Sequence, residues 1–299
     1  MNITTPLVHK PVMVAEVLSY LRPQPGGLYV DATLGGGGHT RAILAAEPTC
    51  RVIGCDWDKE SLDALTPTIQ AEFPGRFEPL WGNFADLSRL LAKRRIRQLG
   101  GILADFGTSQ IQISTKAGLS FSRDTPLDMR MSSAHFRVTA AHIINRASEA
   151  ELAEIFWRYG EERFSRRIAH LIAEERKRGR IETTAALAAL VCKIIPYRHG
   201  KIHPATRVFQ ALRIVVNHEL DNINSLLSAS RQLLEPGGRL VCISFHSLED
   251  RMVKQFIRDH KQEFMNLTPH VVVASAEERA VNPSARSAKL RAAERVATD

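Results

Sequence analysis

The sequence lacks the features that mark secreted, membrane-spanning and zinc-binding proteins. No apolar run approaches the roughly 20 residues that cross a bilayer, and residues 1–15 contain no apolar signal core. The cysteines form no C-x-x-C pair and have no disulfide-like spacing; they are Cys50, Cys55, Cys192 and Cys242. His199 and His203 have no cysteine or carboxylate at metal-ligand spacing. We therefore expect a cytoplasmic protein with no structural metal and no membrane partner.

The sequence has fewer acidic than basic residues. It contains 32 Asp and Glu residues and 40 Lys and Arg residues in a chain of 299, which gives a net charge of +8. A basic surplus raises affinity for nucleic acids or anionic membranes. It is concentrated between residues 158 and 180, at Arg158, Arg163, Arg166, Arg167, Arg176, Lys177, Arg178 and Arg180. Two interpretations remain open here: an RNA contact that includes Arg166 and Arg167, or a solvated helix face held by Glu–Arg pairs.

The first third of the chain has the pattern of an α/β protein. Strand-length apolar runs at residues 28–30, 52–55, 77–81 and 102–104 are separated by amphipathic, helix-like stretches. Strands that alternate with helices indicate a parallel sheet covered by helices on both faces.

Between residues 113 and 212 strand signals are sparse and helical signals dominate. Ser148 and Glu151 form a capping box before a helix that ends at Gly160. A second helix continues to about Gly179, and a third begins at Thr183 or Thr184 and must stop before a proline. This block is predicted to be an all-helical domain.

The alternating pattern then returns. We predict a helix at 223–234, a turn at 235–238, a buried strand at 239–245, a helix at 248–260 and an edge strand at 289–293. The simplest architecture is a doubly wound sheet interrupted by an insertion. We place the discontinuous sheet domain at residues 1–112 and 213–299, and the inserted helical domain at residues 113–212.

A glycine cluster at residues 35–38 follows the first strand and opens a helix, and Asp56 ends the next strand. Glycines at such a turn admit a nucleotide-like ligand, and an acid about 20 residues further on can bind ribose hydroxyls. Asp31 stands ahead of the glycines, where it would repel a pyrophosphate but suit the ammonium or sulfonium of S-adenosylmethionine. This favours a methyl donor over NAD. Asp31 could equally cap a turn or helix, and His39 could cap or pack rather than contact the ligand.

Polar side chains follow the ends of four successive strands. Asp31, Asp56, Asn83 and Asp105 should therefore converge on one crevice, because ligands of open α/β sheets bind beyond the carboxyl ends of the strands. Phe84 would border an adenine ring or else belong to the core.

The absence of a cysteine nucleophile at the predicted crevice limits which atom of a base could be methylated. Methylation of a pyrimidine carbon needs a cysteine thiolate, but no cysteine follows the fourth strand and Cys242 lies within an apolar strand. Direct transfer to nitrogen or oxygen is then favoured, with Asp105 as the acceptor for the hydrogens of an exocyclic amine. His246 and Ser247, at the end of the late strand, are predicted to face the same crevice.

Longer motifs carry a family resemblance across nearly the whole chain. They read HKPVM at 9–13, DATLGGGGH at 31–39, GLSF at 118–121, PLDMRM at 126–131, YGEERF at 159–164, HPATR at 203–207, PGGRL at 236–240, ISFHSLEDR at 243–251 and ARSAKLR at 285–291. With these strings the sequence resembles the bacterial 16S rRNA cytosine-N4 methyltransferases, the RsmH or MraW family.

The resemblance implies a class I methyltransferase fold with an inserted helical domain and S-adenosylmethionine as cofactor. It implies N4-methylation of a cytidine in the decoding region of 16S rRNA, within the assembled small ribosomal subunit. The implied donor-binding positions are Gly37, Gly38, His39, Asp56, Phe84, Asp105 and Gln112, with Gln110 as the alternative to Gln112. The candidate RNA contacts are Asp128, Arg130, Arg166, Arg167, Arg207, His246 and Ser247.

Two other functions stay open at this point. One is a nicotinamide-dependent oxidoreductase, which would share the glycine loop and the acid after the second strand. The other is a non-catalytic RNA-binding factor that retains the cofactor crevice as a relic, although a relic would not need intact glycines and strand-end acids.

Overall fold

A computed structural model describes residues 11–107, 116–197 and 202–297. The chain divides into two compact units. The first contains Met1–Ser109 and Leu220–Asp299, and the second contains Gln110–Glu219. The second unit is thus an insertion into the sequence of the first.

The first unit is built on a mixed sheet. Its strands are β1 (Leu28–Asp31), β2 (Arg51–Asp56), β3 (Phe77–Trp81), β4 (Leu99–Asp105), β5 (Leu234–Ser244), β6 (Phe264–Asn266), β7 (Val272–Val273) and β8 (Lys289–Arg295). Their order is β3-β2-β1-β4-β5-β8-β6, with β7 paired to β8. Strands β1 to β5 are parallel and β8 runs antiparallel to β5. The strands predicted from the first third of the sequence are confirmed.

Helices cover both faces of this sheet. They are α1 (Val14–Leu21), α2 (Gly38–Ala46), α3 (Lys59–Glu72), α4 (Leu87–Ala92), α10 (Glu219–Leu233), α11 (Ser247–Asp259) and α12 (Ala276–Val281), with 3₁₀ turns at Phe84–Asp86 and Pro283–Arg286. Apolar side chains of α1, α2 and α3 join one buried cluster, while α4, α10 and α11 pack into the cluster on the opposite face. The predicted doubly wound α/β fold is confirmed.

The prediction of an edge strand near the C-terminus is wrong. Strand β8 lies inside the sheet, paired with β5 on one side and with β6 and β7 on the other. The two covering strands are only three and two residues long. Their short sequences carry no alternating pattern that would reveal them.

The turn predicted at residues 235–238 lies within β5 rather than before it. The β4–β5 register jumps from Leu99↔Leu234 to Gly101↔Arg239, so the turn forms a bulge in the strand. Gly237 has a positive φ of 82°, which a glycine adopts without strain.

The second unit is helical. Its helices are α5 (Ala140–Arg146), α6 (Glu149–Gly160), α7 (Ser165–Glu175), α8 (Thr184–Ile194) and α9 (Thr206–Val216). The Ser148–Glu151 capping box is present, and Thr183 caps α8 by accepting a hydrogen bond from the Ala186 amide. Apolar residues of all these helices share one buried cluster that includes Phe156 and Ile172. In the part of the chain that the structure describes, no helix is long and apolar enough to span a bilayer.

Candidate functional site

A cleft lies where the winding of the sheet reverses. From β1 the chain moves outward through β2 and β3, and it then returns to place β4 on the other side of β1. Such a reversal opens a crevice beyond the carboxyl ends of the two central strands. The cleft is lined by Pro11, Val12, Thr33, Leu34, Gly35, Gly36, Gly38, His39, Asp105, Gly107, Phe245 and Ser284.

The glycine loop is held tightly from behind. Gly37, the residue before α2, has a φ of +72°, and a Cβ there would lie 2.8 Å from Ile69 Cδ1. A Cβ on Gly38 would lie 2.6 Å from Pro11 Cγ. Gly37 has no side chain with which to cap α2, and the Thr40 amide in the first turn is bound by the Asp31 carboxylate. Gly38 and His39, the two residues before Thr40, line the cleft, where the first amides of a helix favour polar or anionic ligand groups.

Asp31 is turned away from the cleft. Its side chain is buried, and its carboxylate accepts hydrogen bonds from Thr40 Oγ1 at 2.7 Å and from the Thr33 amide at 3.2 Å. Burial raises the pKa of this carboxyl group above its usual range. Of the two interpretations of Asp31, this geometry matches the turn and helix cap.

Asp56 lies directly behind the glycine loop. Its carboxylate accepts hydrogen bonds from the amides of Gly35 and Asp58, both at 2.9 Å. Burial, with smaller contributions from the nearby Asp58 and Asp31 carboxylates, raises the pKa of Asp56 to about 6, against the opposing effect of the two amide hydrogen bonds. Asp56 therefore ties the loop to the end of β2. Its contact with a ribose remains a prediction.

His39 and Asp105 face each other across the cleft. The Nε2 atom of His39 lies 2.8 Å from the Val12 carbonyl oxygen, which can only accept, so Nε2 carries the hydrogen. In the neutral ring, Nδ1 is then unprotonated, and it lies 3.9 Å from Asp105 Oδ2. His39 thus both packs against the N-terminal segment and lines the cleft.

Asp105 is fixed by two further hydrogen bonds. Its amide donates to Thr33 Oγ1 at 2.7 Å, and its Oδ1 accepts from the Gly107 amide at 3.1 Å. Burial raises the pKa of Asp105 to about 6, partly offset by the nearby His39 and the Gly107 amide. Asp105 is therefore a carboxylate poised to exchange a proton near neutral pH.

We predicted that the four polar residues at the strand ends would converge on the cleft, but not all of them reach it. Asp105 lines it, and Asp31 and Asp56 lie buried behind its glycine loop. Asn83 is turned elsewhere: its Oδ1 accepts from the Ala85 amide at 2.9 Å and its Nδ2 donates to Asn222 Oδ1 at 3.1 Å. Asn83 caps the 3₁₀ turn and anchors α10, so the prediction is wrong for this residue.

Phe84 belongs to a group of aromatic side chains. Its ring centroid lies 6.2 Å from that of Trp57 and 6.2 Å from that of Phe106. Phe84 is half-buried and packs against the core, as the second of its two interpretations predicts. Sequence reasoning missed Trp57, and its position directly after Asp56 is the signal that could have found it.

His246 and Ser247 begin α11. The His246 ring accepts from the Glu249 amide at 3.4 Å, and the Glu249 carboxylate accepts from the His246 amide at 3.3 Å. This capping box confirms that Glu249 lies in a first helical turn. Neither His246 nor Ser247 lines the cleft, because the ring serves the cap, whereas Phe245, which we did not predict, does line it.

Several predicted RNA contacts of the second unit are held by neighbours. Arg130 pairs with Asp128 through two bonds, of 2.7 and 2.8 Å, and this guanidinium holds the pKa of the partly exposed Asp128 below its usual range, against the opposing effect of burial. Arg207 donates to the Glu161 carbonyl at 3.2 Å. Arg166 and Arg167 are exposed. Gln110, Gln112 and His199 lie outside the described residues.

Comparison with known proteins decides the family. A profile of the MraW methylase family matches residues 6–296. The chain belongs to this family. It is 47% identical over 310 residues to a ribosomal RNA small subunit methyltransferase H from Thermomicrobium roseum, covering 97% of this chain and 94% of that protein. A protein of the same name from Syntrophotalea carbinolica is 48% identical, covering 96% of this chain and 98% of the relative.

Membership of the MraW methylase family confirms the class I methyltransferase fold and the methyl donor S-adenosylmethionine. The nicotinamide-dependent oxidoreductase is thereby set aside. The cleft offers chemical groups that suit such a donor, namely a glycine loop, the start of α2 and the partly buried Asp105 carboxylate at its rim.

Asp56 provides a direct test of donor binding in this methylase. Asp56→Ala is expected to weaken S-adenosylmethionine binding by about 10- to 150-fold, because hydrogen bonds to a charged group contribute about 1.5–3 kcal/mol. Binding by the wild type should also weaken as the pH falls below about 6, where Asp56 takes up a proton. Calorimetric titration measures both effects. Asp63→Ala, which removes an exposed carboxylate paired with Lys59, is the control; equal affinities for the two variants would remove Asp56 from the donor site.

Proposed function

We propose that this methylase transfers a methyl group from S-adenosylmethionine to N4 of a cytidine in the decoding region of 16S rRNA, within the small ribosomal subunit. The names of the relatives point to small-subunit rRNA. The sequence resemblance points to the cytidine amine. The observation that carries the chemistry is Asp105, a partly buried carboxylate 3.9 Å from His39 at the rim of the cleft, with a pKa of about 6.

The cleft favours direct transfer over a covalent route. Methylation of a ring carbon requires an accessible thiolate. Cys55 and Cys242 are fully buried, and burial raises the pKa of both thiols. Neither they nor Cys50 and Cys192 line the cleft. An exocyclic nitrogen can instead react without a protein nucleophile.

Asp105 would supply what the amine needs. The bound donor provides an electrophilic methyl group. As the nitrogen lone pair forms the new N–C bond and the C–S bond breaks, one amine proton must leave, and Asp105 Oδ2 accepts it. His39 Nδ1, 3.9 Å from Oδ2, is placed to take this proton in turn. Thr33 and Gly107 hold the carboxylate in position.

Donor binding in this proposal uses Gly37, Gly38, His39, Asp56, Phe84, Asp105 and Gln112. The helical insertion would recognise the RNA substrate. Arg166 and Arg167 are its best candidates, because Arg130 is neutralised by Asp128 and Arg207 is bound to a carbonyl group. His246 and Ser247 would act only if RNA reaches the start of α11.

Nucleoside mass spectrometry tests the proposal. Small ribosomal subunits from cells that lack this chain are incubated with purified protein and S-adenosylmethionine, and their 16S rRNA is digested. The expected product is N4-methylcytidine from the decoding region. A methyl group on a ring carbon, on another nucleoside, or on no nucleoside would refute the proposed activity. Heat-inactivated protein is the control.

A further inference from the structure

A groove between α6 and α7 has two exposed aromatic side chains. Trp157 is 61% exposed and Phe164 is 41% exposed, and both line the groove together with Arg163, Arg166 and Arg167. We call this surface the α6–α7 groove. Large aromatic groups and arginines are enriched where proteins bind partners.

The structure divides the basic segment of residues 158–180 into two classes. Most of its members are held by acids or carbonyl groups. Arg158 pairs with Glu154 at 3.5 Å, Lys177 with Glu174 at 2.6 Å, Arg178 with Glu175 at 3.2 Å and Arg180 with Glu182 at 2.7 Å. Arg176 donates to the carbonyl groups of Ile144 and Ala147. These residues form the solvated face that one interpretation of the sequence predicted.

The three arginines of the groove differ from the rest. Within the described ranges, no carboxylate lies in ion-pair distance of Arg163, Arg166 or Arg167, and all three are exposed. Two acids also line the groove: Glu149 contacts His170 at 3.2 Å, and Glu154 pairs with Arg158. Three arginines face two glutamates, so the lining of the groove keeps a net positive charge.

The start of α7 concentrates this charge further. Arg166 and Arg167 lie in its first turn, which contains no acidic residue and no side-chain cap. Cations are unfavourable at a helix N-terminus, whereas phosphate groups are favoured there. Glu162 is near, but it is buried and accepts from the Phe164 amide at 2.9 Å. An anion in the groove would relieve the repulsion.

Aromatic rings and arginines combine in a way that suits a nucleic acid strand. The Arg167 guanidinium lies over the Phe164 ring, 5.7 Å from its centroid and within cation–π distance. Unpaired bases stack on aromatic and guanidinium planes, and phosphates pair with arginine. An acidic protein surface would use the arginines but would leave the exposed rings without planar partners.

We propose that the α6–α7 groove binds a single-stranded segment of RNA, with bases stacked on Trp157 and Phe164 and phosphates on Arg163, Arg166 and Arg167. This deepens the proposed function, because the strand would belong to the same rRNA substrate. The groove lies within the second unit, and none of its lining residues lines the cleft of the first unit.

The test measures binding of the full chain to a labelled single-stranded oligouridylate by fluorescence anisotropy, without methyl donor. Trp157→Ala should weaken binding about 5- to 100-fold through lost stacking, and Trp157→Phe should retain most of it. The double variant Arg166→Ala/Arg167→Ala should weaken binding and reduce the slope of log K against log salt by about 1.4. The matched control, Arg178→Ala/Arg180→Ala, removes the same charge from paired arginines and should change little.

Three outcomes would overturn the proposal. One is unchanged affinity in both groove variants, and another is an equal loss in the matched control, which would indicate charge alone. For the third, binding of labelled polyglutamate is measured in the same way. If the groove variants lose polyglutamate binding but keep RNA binding, the groove binds an acidic protein partner instead. Circular dichroism confirms that each variant is folded. Since no methyl donor is present, failure of N4-methylation in the nucleoside assay would leave this result intact, so the two proposals fail separately.

Discussion

Asp105→Asn is expected to lower the rate of methyl transfer at saturating substrates by about 10²–10⁴-fold, the usual contribution of a positioned general base. The amide cannot accept a proton from the cytidine amine. Its oxygen can still accept from the Gly107 amide, as Oδ1 does in the wild type at 3.1 Å. Donor affinity should therefore change much less than the rate. Single-turnover transfer of a labelled methyl group, with calorimetry of donor binding, separates the two.

The pH profile provides an independent measure of the same group. Burial raises the pKa of Asp105 to about 6, and the groups that face it are His39, Asp31 and Glu249. The ionised carboxylate is the active form, so the wild-type rate should rise with pH up to about 6 and level off above it. One pH unit below the pKa, the rate should fall by about tenfold. Measurement at saturating donor removes the separate effect of Asp56 on binding.

Asp86→Asn is a matched control, because it makes the same change at an exposed carboxylate that pairs with Arg89. It should keep both the rate and the profile of the wild type. If Asp105→Asn retained the wild-type rate, or kept the acid limb of the profile, the proton would go to another group. The role of His39 as second acceptor would then fall as well.

Arg291→Met is expected to lower the free energy of unfolding of the first unit by about 3–5 kcal/mol, a cost expected when one partner of a buried ion pair is removed. Arg291 lies on β8, an internal strand of the sheet, and binds Asp250 of α11 through two bonds, of 2.6 and 3.2 Å. Only 9% and 16% of the two side chains are exposed. Methionine fills a similar volume but leaves Asp250 buried without its cation.

Urea unfolding followed by tryptophan fluorescence measures this loss. Trp57 and Trp81 lie in the first unit, and Trp157 lies in the second, so a Trp157→Phe background reports the first unit alone. Arg89→Met, which breaks an exposed pair, should leave the unfolding midpoint close to that of the wild type. Adding Asp250→Asn to Arg291→Met should recover part of the loss. Equal midpoints for Arg291→Met and Arg89→Met would show that the buried pair does not stabilise the sheet.

Local patterns accounted for most of the secondary structure. The capping box at Ser148 and the apolar runs of β1 to β4 were legible because helix caps and buried strands depend on nearby residues. Strand β8 was misplaced at an edge because pairing with β6 and β7 depends on residues that are distant in sequence and lack a clear pattern.

The same distinction applies to the candidate site. Asp105 was predicted from its position at the end of β4, but no pattern indicated that Val12 would set the His39 tautomer. Asn83 occupied an equivalent strand end, yet its side chain turns to Asn222, 139 residues further along the chain. A strand end specifies where a residue lies, whereas the neighbours that compete for its hydrogen bonds decide where it points.

The sequence by itself determined the α/β class, the interruption of the sheet by helices, the glycine loop and the methylase family, because these depend on periodicity, on local caps and on motifs in fixed order. Only the tertiary structure decided which charged side chains are bound by other residues and which face a groove or cleft. Arg166 and Arg176 belong to the same basic segment, but Arg176 donates to the distant Ile144 and Ala147 carbonyl groups and Arg166 faces the α6–α7 groove. Likewise, Asp31 and Asp105 both end central strands, and only Asp105 opens to the cleft. Burial and pairing arise from packing between elements, and composition does not encode them locally.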